Sequence, residues 1–145
     1  MIAVLTTVLL ITASDKAAAI ADPAQKARVF MEAYFAGLPA VKDMLTNDAL
    51  LRMDDNIMPY AWMLPKAGDP TTMTNCRVEA TQEEPTPPAA ELERYQPASF
   101  HTPGRFALVT VHYTCPSTKD GTRLHAETSI YLKDGLVVLV RLKTR

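Results

Sequence analysis

Apolar and polar positions alternate with a period of two through the C-terminal part of the chain. From Arg105 to Pro116, Ala107, Val109, Val111, Tyr113 and Cys115 take one parity, and Leu108, Thr110, His112 and Thr114 take the other. The alternation repeats from Arg123 to Leu132, and Lys133-Asp134-Gly135-Leu136 supplies a tight hairpin turn into Val137 to Leu142. Successive strand residues point to opposite faces, so the pattern predicts a curved antiparallel sheet with one apolar face that another element must cover.

That element is predicted near the N-terminus. Asp22 is a capping acid, Pro23 suits the first helical position and Gln25 follows three residues after the cap. Ala27, Phe30, Met31, Tyr34, Phe35 and Leu38 then share one face of a helix that Gly37 and Pro39 terminate. Pro39 opens a second, short helix carrying Val41, Met44 and Leu45 on one side, and Thr46-Asn47-Asp48 breaks it. Ala49 to Met53 reads as a short strand and Asp54-Asp55-Asn56 as a turn, while Ile57 to Leu64 fits helix and strand equally. Pro65 to Asp69 and Pro70 read as loop, and Thr74 to Gln82 as a strand with Cys76, Val78 and Ala80 on its buried face. Between Glu83 and Gly104, Pro85, Pro87, Pro88, Pro97 and Pro103 exclude a central strand or a long helix, although Ala89 to Tyr95 allows a helical turn or two.

Pairing Cys76 with Cys115 places Val78 opposite Tyr113 and Ala80 opposite Val111. A hairpin beyond Pro116 then sets Cys115 against Leu124 and Val111 against Thr128, and the next sets Leu132 against Val137 and Ile130 against Leu139. In these registers the inward set is Cys76, Val78, Ala80, Ala107, Val109, Val111, Tyr113, Cys115, Leu124, Ala126, Thr128, Ile130, Leu132, Val137, Leu139 and Arg141, with no carboxylate and no histidine. Tyr131, Val138, Val140 and Leu142 face outward yet are apolar, the sign of an association surface, and a symmetric homodimer through this face is expected.

A length of 145 residues, 48% of them hydrophobic, suits one domain. The net charge of −1 lacks the basic excess that nucleic-acid backbones require, so no nucleic-acid partner is expected. Ile2 to Ala13 is an apolar run short of a membrane span, followed by Ala17, Ala19 and Ala21 at signal-peptidase spacing. Residues 1–21 therefore read as a signal peptide and 22–145 as a single secreted or periplasmic domain without a stable membrane span. No Lys or Arg precedes the run, which leaves an uncleaved anchor or a misplaced start as alternatives. Two cysteines in an exported chain favour a disulfide, against a pair of separate buried thiols.

The N-terminal helix with Tyr34-Phe35-Ala36-Gly37, the short second helix, Asn47-Asp48-Ala49 and the closing strands with Asp134-Gly135-Leu136-Val137 together resemble the nuclear transport factor 2-like superfamily, including its SnoaL-like branch. The resemblance covers most of the predicted mature chain. It implies an α+β cone in which the sheet wraps around the long helix to enclose a pocket, and frequent homodimers; the proline-rich insert at about 83–104 is larger than usual for it.

Enzymes of that superfamily place ionisable groups inside an apolar cone, where burial lifts a carboxyl pKa toward neutrality. The matching positions here are Asp54 or Asp55 as a base and Tyr34 as a hydrogen-bond donor, against plain roles as turn acids and a core aromatic. Tyr34, Tyr60, Trp62, Tyr113 and Thr128 suit contacts to a small apolar ligand, or simply fill the core. His112 opposite Glu127 and diagonal to His125 would suit a divalent metal or form a solvated polar face with Arg123; the latter is favoured and no metal is assigned. No phosphate loop, nucleophile elbow or zinc-protease helix occurs, and no cofactor is implied. The sequence thus favours an exported, non-catalytic domain that binds a small apolar molecule or a protein partner. The alternative is an isomerase, dehydratase or polyketide-cyclase-like enzyme.

Overall fold

The computed structural model describes residues 22–64, 75–117 and 120–143. The expected signal peptide and the loop from Pro65 to Pro70 lie outside them. Helix α1 spans Pro23–Phe35, and the Asp22 carboxylate accepts from the Ala24 amide at 3.0 Å, which satisfies one orphan donor of its first turn. Gly37, at φ +67°, closes the helix: its amide donates to the Tyr34 carbonyl and that of Leu38 to the Ala33 carbonyl. Leu38 does not continue the buried face as expected, because this reversal turns it into solvent.

A 3₁₀ helix, Pro39–Met44, leads into β1 (Leu45–Met53), which starts earlier than the sequence suggests and includes Thr46-Asn47-Asp48. A two-residue turn at Asp54 and Asp55 then leads to β2 (Asn56–Pro59), and the ambiguous apolar stretch resolves into this strand followed by a 3₁₀ helix, Tyr60–Met63. Strands β3 (Arg77–Glu84), β4 (Phe106–Pro116), β5 (Arg123–Lys133) and β6 (Leu136–Leu142) complete a six-stranded sheet of order β2-β1-β6-β5-β4-β3. The architecture is α+β, with α1 against one face of a curved sheet that does not close into a barrel. The sheet is not wholly antiparallel, since β1 lies parallel to the C-terminal strand β6.

The β4–β5 ladder has the expected register throughout, from Phe106 opposite Lys133 to Pro116 opposite Arg123. The two flanking ladders keep theirs only in part. Val78 meets Tyr113, but a bulge follows and sets Ala80 opposite His112 and Thr81 opposite Val111, so Ala80 leaves the inward set. Leu132 meets Val137, but a second bulge sets Tyr131 opposite Leu139 and Ile130 opposite Val140. One extra residue reverses the parity of everything beyond it. Leu139 therefore joins the outer layer, with Arg141 beyond it, and Val140 and Leu142 point toward the helix instead of outward.

The sheet consequently has an apolar layer on each face. Inside, Ala27, Phe30, Met31, Val109, Val111, Ile130, Leu132, Val137 and Val140 pack with Leu51 and Tyr60. Outside, Tyr131, Val138 and Leu139 are buried under Leu92, Tyr95 and Phe100 of the proline-rich segment, with Leu50, Phe106 and Leu108 at the margin. The face expected to bind a second copy is thus covered by the chain's own insert. This strap carries only the short helix α2 (Ala89–Leu92) and a 3₁₀ turn, Ala98–Phe100. Cys76 and Cys115 form the expected disulfide, 39 residues apart, at the start of β3. On the chain-entropy model a loop of that size is worth about 3 to 4 kcal/mol.

Polar ties fix the strap at its margins. Asp48 accepts from the Ser99 amide at 3.0 Å, and Arg52 donates to the Tyr95 hydroxyl at 3.1 Å. The buried Lys133 ammonium lies 5.6 Å from the Phe106 ring centre and donates to the Ser99 carbonyl at 2.7 Å and the Thr102 carbonyl at 2.9 Å, and also to the Thr102 hydroxyl. A side chain at Gly104 would collide with the Lys133 side chain and the Asp134 carboxylate, so glycine lets the strap pass close to them. Replacing Lys133→Met keeps the stem and removes every donor, leaving those strap carbonyls unpaired. We expect a loss of about 1 to 3 kcal/mol in urea denaturation; an unchanged unfolding midpoint would show that the ammonium ties nothing down.

Candidate functional site

Four of the five expected ligand contacts come together inside the cone. α1 presents Tyr34 beside Phe35, the 3₁₀ helix after β2 brings in Tyr60, β4 supplies Tyr113 and β5 supplies Thr128. The rings form a connected set: Phe30 to Tyr60 at 5.9 Å, Tyr34 to Tyr60 at 6.4 Å and Phe35 to Tyr113 at 5.2 Å between centres. Tilted and edge-on contacts at these distances are the arrangement aromatic quadrupoles prefer. The Thr128 hydroxyl, wholly buried, donates to the Tyr113 hydroxyl at 3.4 Å, the expected cross-strand neighbourhood of β4 and β5.

Phenol groups in such surroundings hold their protons tightly. Burial, with Tyr113 adding to it, raises the Tyr34 pKa, and burial followed by the nearby Tyr34 raises that of Tyr60 well above the usual tyrosine range. The hydroxyls are therefore neutral, and those of Tyr60, Tyr113 and Thr128 are packed in the interior, where Tyr60 also borders a small groove. The described lining of the site is otherwise hydrocarbon and aromatic, and the fully buried polar groups among the described residues are Thr, Ser and Lys133, not carboxylates or imidazoles.

The other expected site residues stand elsewhere. Trp62, 75% exposed, projects into solvent instead of joining Tyr60, because the 3₁₀ helix points consecutive side chains in different directions. Asp54 and Asp55 are exposed in the β1–β2 turn, where Asp54 adopts φ +53° and its carbonyl accepts from Arg52. Of the postulated acid-base set, Tyr34 alone lies in the cone.

His112 does face Glu127 across β4 and β5, with Nδ1 3.8 Å from Oε2, but the other carboxylate oxygen accepts from Lys143 at 2.6 Å. No group of three or more metal-ligating side chains gathers among the described residues. A lysine thus takes the place a cation would need.

Small grooves adjoin the cone. One of roughly 150 Å³ runs along Leu45, Thr46, Ala49, Tyr60, Ala61 and Leu64, so Tyr60 borders both it and the interior. Another, roughly 330 Å³, lies between the start of α1 and the β5–β6 turn, with Lys26 and Asp43 at its rim and Leu132 and Val137 among its walls.

Sequence reasoning missed the polar set on the outer face. Tyr131 donates to a Glu91 carboxylate oxygen at 2.6 Å, and burial, then this bond, pushes its pKa up to about 12. A phenol whose folded pKa exceeds its unfolded value of about 10 stabilises the fold fully below pH ~10, and that contribution disappears as pH climbs toward the folded value. Stability should therefore fall between pH ~10 and ~12, and less steeply in Tyr131→Phe. Urea midpoints measured across this range check it; parallel slopes in the two proteins would contradict the assignment.

The chain was compared with protein-family models, curated proteins and solved structures, and none of the three comparisons finds a match.

Proposed function

We propose that the chain is a non-catalytic, nuclear transport factor 2-like domain, exported to an oxidising compartment, that holds a small apolar or amphipathic molecule at the tyrosine end of its cone. The observation that carries this reading is the convergence of Tyr34, Tyr60, Tyr113 and Thr128 in an otherwise apolar lining. A few directed hydroxyls among hydrocarbon and aromatic walls orient a ligand without supplying a proton acceptor. The disulfide supports export, because such bonds persist where thiols are not kept reduced. No helix among the described residues is long and apolar enough to cross a membrane.

An acid-base enzyme draws less support from this arrangement, since Asp54 and Asp55 stand in water at the hairpin tip. A protein partner has its own basis in the exposed Ile57 of the edge strand β2 and in Trp62 just after it, which would gain from being covered.

Titration of isotope-labelled protein with monocyclic aromatic ketones and medium-chain fatty acids tests the ligand reading by NMR. We expect saturable shifts centred on Tyr34, Tyr60, Tyr113 and Thr128, weakened several-fold in Tyr34→Phe for the ketones. Shifts confined to Trp62 and the outer strands would refute it.

A further inference from the structure

We infer that the groove between the start of α1 and the β5–β6 turn binds a small zwitterion with an apolar side chain, such as a free aliphatic or aromatic amino acid, whose two charged groups are held by Lys26 and Asp43.

The groove has the size and the walls such a ligand needs. At roughly 330 Å³ it falls at the lower end of the range that small-molecule pockets occupy. Buried Leu132 and Val137 form its base, continuous with the inner core, and Val29, Met44 and Leu136 form its sides. Two of the six exposed large apolar side chains among the described residues, Val29 and Leu136, thus flank one groove, and a hydrocarbon or aromatic group lying there would cover both.

The charges of the groove are of opposite sign and unused. Neither the Lys26 ammonium nor the Asp43 carboxylate has a hydrogen-bond or ion-pair partner among the described residues, and the two do not pair with each other. The acids nearest Lys26 in sequence and at the turn are engaged: Asp22 accepts from the Ala24 amide and Asp134 from the Arg105 amide. Lys42, beside Asp43 in sequence, lines the separate groove at Tyr60. Gly135, at φ +84°, helps set where the cation stands. An added Cβ would come within 2.9 Å of the Lys26 Nζ and 3.0 Å of its Cε, so the bare backbone there lets the lysine arm lie across the turn.

A simple carboxylate would meet Lys26 but also face Asp43, and a simple amine the reverse. A zwitterion answers both, while its side chain takes the apolar walls, and this complementarity of charge selects the occupant. None of Tyr34, Tyr60, Tyr113 and Thr128 lines the groove, so its ligand is separate from the one proposed for the cone.

The test titrates isotope-labelled protein at low ionic strength with phenylalanine, hydrocinnamate and phenethylamine, followed by methyl NMR. Phenylalanine should give saturable shifts at Val29, Met44, Leu136 and Val137, and the two single-charge analogues should bind about two- to fivefold more weakly, the contribution of an exposed ion pair. Lys26→Met and Asp43→Asn remove groups without partners, so the fold is kept, and each should weaken phenylalanine by a similar factor. Asp43→Asn should also strengthen hydrocinnamate, and Lys26→Met phenethylamine. Shifts that do not saturate, shifts at the tyrosine cluster alone, an analogue binding as tightly as phenylalanine, or variants that leave all three affinities unchanged would each overturn the proposal.

Discussion

The structure depends on one residue more in β6 than its neighbour can pair. With Val138 as a bulge, Val137 and Val140 point to the helix while Val138 and Leu139 point away, so a single aliphatic run feeds two cores at once. Burial of hydrocarbon drives both layers at roughly 25 cal/mol per Å². A sheet apolar on both faces needs a cover on each. α1 answers on one side and the strap on the other, and most of what is distinctive in this protein follows from the second cover.

The strap has to lie flat on a sheet without becoming part of it, which its composition makes natural. Proline removes backbone donors that would otherwise seek a strand, and the carbonyls left over need partners at the margin. Lys133 meets that need from β5, reaching Ser99 and Thr102 while its stem runs beside Phe106. The inner face works differently. There the polar atoms are phenol and hydroxyl groups that pair with one another, as Thr128 does with Tyr113, which is why we propose ligand binding on that side.

Much of this was legible in the residues. The Asp22-Pro23 start, the Gly37 stop and the β4–β5 hairpin register rest on short-range signals whose physics is local, and the cysteine pairing follows from the sequence holding two cysteines. The two bulges were not, for a specific reason: Val137 to Val140 is aliphatic at every position, and Ala80 and Thr81 are both small, so either parity satisfies the pattern and alternation loses its information there. The fate of the outward apolar residues was hidden likewise. Leu92, Tyr95 and Phe100 are scattered among prolines without a period, and no periodicity argument recovers a cover that is neither helix nor strand. Trp62 and Tyr60 read as one aromatic cluster because sequence proximity says nothing of how a single 3₁₀ turn separates them.

The direction taken by each side chain at the bulge is the account's central claim, and methyl-to-ring contacts measured by NMR in solution report it most directly. The structure requires Val138 and Leu139 methyls to show cross-relaxation with the rings of Tyr95 or Phe100, and Val137 and Val140 methyls with rings on the α1 side of the sheet. Val138 and Leu139 contacting Phe30, or lacking any strap partner, would mean that the sheet has one core and that the second cover does not exist.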